Sequence, residues 1–81
     1  MKTTHTPAPW NLTYDAHDAV IHNFVTIASV CRNAPEWEAN AHLIYSAPEL
    51  LAALERLVHP MADDEDLDYA REIISKAKGE L

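Results

Sequence analysis

The chain has 81 residues, 48% of them apolar, and a formal charge of −7. That length allows one domain with a thin core, and the apolar fraction excludes wholesale disorder. With only six Lys and Arg against thirteen Asp and Glu, duplex nucleic acid is a poor partner, because phosphate binding needs clustered cations. The one cysteine, Cys31, cannot form an internal disulfide, which fits a reducing compartment. The stretch after Met1 lacks the apolar core of a signal peptide, and no run approaches the ~20 apolar residues of a membrane span. A single cytoplasmic domain over residues 1–81 is expected, with no membrane partner.

Residues 1–9 carry Pro7 and Pro9 and read as an extended arm, since each proline drives the residue before it toward extended geometry. Residues 10–31 read as a β-meander. Trp10, Leu12 and Tyr14 alternate with Asn11 and Thr13, the period of a half-buried strand. Asp15-Ala16-His17-Asp18 is a turn with Asp15 as its Asx initiator. Ala19-Val20-Ile21 makes a second short strand, and His22-Asn23 a bend where Asn tolerates positive φ. Phe24 to Cys31 is rich in β-branched residues and predicts a third strand with room for a bulge.

Composition then shifts to Ala, Leu and Glu, the good helix formers. Residues 34–79 read as a helical hairpin with a break near Pro48. Asn33 is the expected N-cap of the first helix, whose apolar face is Trp37, Ala41, Ile44 and Tyr45. Pro48 forces a restart, and Ser46 with Glu49 has capping-box spacing ahead of the stripe Leu50, Leu51, Leu54, Leu57 and Val58. Asp63 or Asp64 caps a last helix whose stripe is Leu67, Ala70, Ile73, Ile74, Ala77 and Leu81. Lys76 and Lys78 meet its negative end, and Gly79 terminates it. The expected class is α+β: a small antiparallel sheet of two to three strands, followed by two to three helices packed on one face.

Candidate chemistry is sparse. The acidic run Asp63 to Asp68 has no glycine and leads into a helix, so it does not follow the calcium-loop pattern. His5, His17, His22, His42, His59 and Cys31 lack zinc-ligand spacing, so no metal is expected. Cys31, His22 and Asp18 make a triad only on paper. Cys31 ends an apolar strand, where it reads as a small buried hydrophobe. Gly79 is the only glycine, which removes every glycine-based nucleotide loop. No enzyme activity and no cofactor are expected.

One constellation stands out: Trp10, Tyr14, Arg32, Asn33 and Trp37. The ordinary use of each tryptophan is core packing, and the ordinary use of Arg32 is a surface pair with Glu36. The functional reading is a ligand-binding surface. Its aromatics would stack a base, while Arg32 and nearby helix-start amides would take a phosphate.

The string His5-Thr6-Pro7-Ala8-Pro9-Trp10 resembles the "HTPxPW" opening of a family of small phage and prophage proteins. The string from Ala39 to Glu55 resembles that family's "ANAxLIxxAPELLxALE" helix signature. With the strand region between them, these blocks cover about two thirds of the chain. Ala8 stands where a glycine is frequent in the family, and the turn Asp15 to Asp18 lacks the usual glycine. The resemblance implies a phage or prophage origin and carries no catalytic or binding residues across. In that setting a role against host antiviral defence is expected, most concretely as a homo-oligomer that sequesters a nucleotide immune signal. The alternative is an acidic inhibitor or adaptor that meets a basic host defence protein through Asp63 to Asp68, with no small ligand.

Overall fold

The structure, a computed structural model, describes residues 4–79. Met1 to Thr3 of the arm, and Leu81 of the last stripe, lie outside the described residues. Three strands, β1 (Asn11–Tyr14), β2 (Asp18–His22) and β3 (Thr26–Cys31), form an antiparallel sheet in the order β1-β2-β3. Three helices follow: α1 (Trp37–Tyr45), α2 (Ala47–Leu57) and α3 (Asp64–Ala77). The class is α+β, as the change of periodicity along the chain requires.

Register explains which sheet face is covered. Leu12, Ile21 and Ala28 pair across the three strands, as do Tyr14, Ala19 and Val30. Residues opposite one another point to the same face, and on this face Ala19 and Ile21 are fully buried. The register between β2 and β3 slips after Ile21, where His22 pairs with Thr26 and Ile27 is the extra residue. The bulge falls inside the segment expected to carry one. β3 starts later than the sequence suggests, because Phe24 and Val25 sit in the hairpin bend and are 93% and 61% exposed. Asn23 does not use its tolerance of positive φ, since no described non-glycine residue takes that conformation. Its side chain instead donates to the Pro7 carbonyl at 2.7 Å and pins the arm. The Asx turn forms as expected: Asp15 Oδ1 accepts from the His17 and Asp18 amides at 2.8 and 2.7 Å.

Of the three helices, α1 is the one that contacts the strands. α2 and α3 pack on one another, and α3 also touches α1. Asn33 is not the cap of α1. Residues 32–36 form a turn in which the Trp37 amide donates to the Ala34 carbonyl, and the helix starts at Trp37 with no side-chain cap. The break before Pro48 is one residue long. Ser46 keeps near-helical angles, so α1 runs into α2 through Ser46, and Pro48 lies in the first turn of α2, where its missing N–H costs nothing.

The capping box expected there does not form. A cap needs an extended residue, whereas Ser46 sits at φ −86° and ψ −1°, and its buried Oγ has no hydrogen-bond partner. Glu49 turns away to pair with Lys76 of α3. At α3 the box is complete. Asp63 accepts from the Glu65 and Asp66 amides, and Asp66 accepts from the Asp63 amide. Gly79 follows α3 with φ +75°, the left-handed turn that ends a helix at least cost when it is glycine.

Candidate functional site

Three of the five residues singled out in the sequence come together at one end of the sheet. Tyr14 is the last residue of β1, Arg32 follows β3 directly, and Trp37 opens α1. The pairing of Tyr14 with Ala19, and of Ala19 with Val30, places the end of β1 beside the exit of β3. The Arg32 amide then donates to the His17 carbonyl at 3.0 Å, prolonging the ladder past the last strand residue. The turn Arg32 to Glu36 brings the chain back over this corner.

The side chains form a stack. Tyr14 and Trp37 meet edge to face, with ring centroids 5.8 Å apart and planes at 81°. The Arg32 guanidinium carbon lies 4.8 Å from the Trp37 ring centroid and 5.7 Å from that of Tyr14. Aromatic faces carry negative potential, so both rings attract the cation. One Nη also donates to the Asp15 carbonyl at 2.7 Å. Glu36 is not the partner that the sequence suggested for this arginine. Half of Tyr14 is exposed, and Arg32 and Asn33 are exposed, whereas Trp37 is half-buried. The Asp15 carboxyl is held below the ordinary carboxylate range, chiefly by the His17 amide and then by that of Asp18. It stays anionic next to Arg32, with Oδ1 engaged by the turn.

Trp10 stands apart from this stack. It precedes β1 while Tyr14 ends it, so four residues of strand, about 13 Å, separate them. Its indole N–H donates to the Thr6 carbonyl at 2.9 Å, and His5 meets its ring edge-on. One depression beside it is lined by Ala47, Pro48 and Leu51, and another by Tyr45, Glu49 and Lys76. Trp10 thus fastens the arm to the α1–α2 junction.

The paper triad does not assemble. Asp18 and Cys31 pair at one end of the β2–β3 ladder, while His22 pairs with Thr26 at the other. Cys31 is exposed, contrary to the buried position expected of it, because it ends its strand opposite Asp18. Among the described residues, no three of His, Cys, Asp or Glu gather as metal ligands would.

Two clusters were not read from the sequence. Arg56 lies 4.0 Å above the Tyr69 ring and pairs with Asp66 at 2.8 Å. Lys76 pairs with Glu49 and sits 5.2 Å from the Tyr45 ring. Both join residues of different helices, and local spacing carries no signal for either. Together they staple α2 to α3 along one side.

These features define a small α+β protein with an aromatic–arginine stack where the sheet meets its first helix. Over residues 1–81 the chain matches the family described as Salmonella phage P22 protein Y8K6. The chain belongs to this family of small phage proteins, the origin implied by its opening and its helix signature. No curated protein and no solved structure matches the chain. No helix among the described residues is long and apolar enough to cross a membrane.

Proposed function

We propose that this phage protein is a non-catalytic binding protein that acts against host antiviral defence in the host cytoplasm, most concretely by sequestering a nucleotide immune signal as a homo-oligomer. The observation that carries the reading is the exposed stack of Tyr14, Arg32 and Trp37. A nucleotide offers a flat base and an anion, and this corner offers aromatic surface and a permanent cation with donors beyond the one given to Asp15. Asn33 flanks the arginine as an exposed amide. Tyr14 and Arg32 lie in the stretch up to Pro35, where Lys2 and Arg32 balance Asp15 and Asp18 in the sequence, while Trp37 follows between Glu36 and Glu38. Most of the acidity lies in the helices, while at the sheet end Asp15 stays anionic beside Arg32. Trp10 is left out of the contact set, because its neighbours are the arm and the α1–α2 junction.

The test is a thermal-shift and calorimetric screen of the purified chain against mononucleotides, cyclic di- and trinucleotides and ADP-ribose-type compounds. Binding to the native state raises its melting temperature, by about 2.7 kcal/mol of stabilisation at a hundred times Kd. Trp37→Ala should remove the shift given by the bound compound, while Trp10→Phe should keep it. A shift that survives Trp37→Ala places the ligand elsewhere. A flat panel turns the reading to its alternative, an acidic inhibitor or adaptor of a host protein. That alternative draws on the exposed Asp64, Glu65 and Asp68 at the start of α3, and it requires a partner whose binding weakens steeply with salt.

A further inference from the structure

We infer that the open face of the α2–α3 hairpin is the interface of a two-fold homodimer. The first observation is an excess of surface. The chain exposes 6026 Å², against about 4,900 Å² for a compact monomer of its mass. The surplus of roughly 1,100 Å² exceeds the ~800 Å² that each partner buries in a standard stable interface. The radius of gyration agrees: 14.3 Å, where about 12 Å is usual for this length.

Part of the exposed surface is apolar: beside Phe24 and Val25 in the hairpin bend and Val58 and Met61 after α2, a further group lies along the helices. Leu43 of α1, Leu54 of α2, and Leu67 and Ile74 of α3 are 54%, 60%, 40% and 48% exposed. They are not scattered. Leu43, Leu50 and Ile74 line one depression of about 530 Å³, with Lys78 on its rim. Leu54 lies one helical turn beyond Leu50, and Leu67 two turns before Ile74, so each continues the stripe of its helix. The opposite side of the hairpin is closed by the Arg56–Asp66 and Lys76–Glu49 pairs. The hairpin therefore has one polar, stapled side and one mainly apolar side, on which Arg71 stands between Leu67 and Ile74.

Charge selects a second copy as the occupant. Along α3 the acidic groups Asp64 and Glu65 stand in the first turn and Lys78 just past the last residue, while Asp68 is paired with Arg71 between them at 3.3 Å. A helix with opposite charges at its two ends complements itself when it packs antiparallel. A two-fold axis through the middle of the face does this, setting Lys78 against the partner's Asp64 and Leu67 against the partner's Ile74. An isologous contact uses each such pair twice. This dimer does not depend on whether the Tyr14–Arg32–Trp37 corner takes a ligand, since the two surfaces share no residue.

The test is light scattering coupled to size exclusion, and sedimentation velocity, on the full chain under reductant so that Cys31 cannot cross-link it. The expected mass is twice that of the chain, falling to one chain in Leu54→Glu and in Ile74→Glu with the far-ultraviolet dichroism retained. Lys78→Glu should weaken the dimer, and the double change Asp64→Lys with Lys78→Glu should restore it. If a face variant loses its fold, the unmodified protein still decides: its melting temperature should rise over a roughly hundredfold range of protein concentration, as dissociation-linked unfolding requires. A single-chain mass with a concentration-independent melting temperature overturns the proposal. So does a dimer that survives both face substitutions.

Discussion

Arg32 performs two tasks at once. It binds the β1–β2 turn through the Asp15 carbonyl and bridges the rings of Tyr14 and Trp37. A ligand contact that is also a structural tie cannot be removed silently. A hydrogen bond contributes about 0.5–1.5 kcal/mol net, and an exposed cation–π contact about 0.5–1. Arg32→Ala should therefore lower the melting temperature by several degrees in a domain of this size. Arg32→Lys keeps the charge and loses the planar stack, so it should recover only part of that loss. Differential scanning calorimetry of the three proteins checks this, and an unchanged melting temperature in Arg32→Ala would show the tie to be idle. Loss of nucleotide binding in Arg32→Ala or in Trp37→Ala, whose ring also packs on Tyr14, is therefore read only beside the melting temperature of the same variant.

At the scale of the elements, two of the three helix starts with candidate caps behave in opposite ways. Asp63 at α3 is extended and caps; Ser46 at α2 is nearly helical and does not. Burying a hydroxyl without a partner costs about 1–3 kcal/mol, and alanine is the better helix former. Ser46→Ala should raise the melting temperature by a few degrees; a fall would show that the hydroxyl has a partner in solution. Acid should act through α3 and the first turn. The Arg56 hydrogen bond, then the Asp63 amide, holds the Asp66 carboxyl below its ordinary range, and the turn amides do the same for Asp15. Both groups are more acidic folded than unfolded. Their stabilisation is thus complete above the unfolded carboxylate pKa of about 4 and is lost as the pH falls toward the folded values. The melting temperature should stay level through neutral pH and drop below about pH 4. Asp66→Asn should show a shallower drop, whereas a wild-type protein level down to pH 3 would remove these carboxylates from the account.

The strands, the Asx turn, the aspartate cap of α3 and the glycine stop were legible in the sequence because each rests on neighbours within four positions. The Ser46 box matched by spacing and failed by backbone geometry, and the Asn33 cap failed because the chain turns through residues 32–36 before α1 begins at Trp37: spacing identifies side chains that can cap, and the fold decides where the helix starts and whether the residue is extended. Likewise, Trp10 and Trp37 have equal claims as residue types. The ladder register, which no local pattern carries, puts Trp37 with Tyr14 and Arg32 and leaves Trp10 with the arm.

At the scale of the molecule, the structure is a slab of 45 × 34 × 17 Å with two unequal halves. The sheet and α1 share a buried layer of Ala19, Ile21 and Ala41, whereas α2 and α3 meet chiefly through Ala53, Ala70 and Ile73. The halves are joined through α1, which touches both. If the bare hairpin face is covered by a second copy, the hairpin draws stability from assembly and the sheet does not. Native-state hydrogen exchange separates the two contributions, because local opening free energies are resolved amide by amide. In the unmodified protein, amides of β2 and of α3 should both be well protected. In Leu54→Glu, protection should fall in α2 and α3 and persist in β2, whose partners Leu12, Ala28 and α1 are unchanged. A uniform loss across all elements would instead mean that the slab unfolds as one cooperative unit, with α1 transmitting the whole effect of the exposed charge into the sheet.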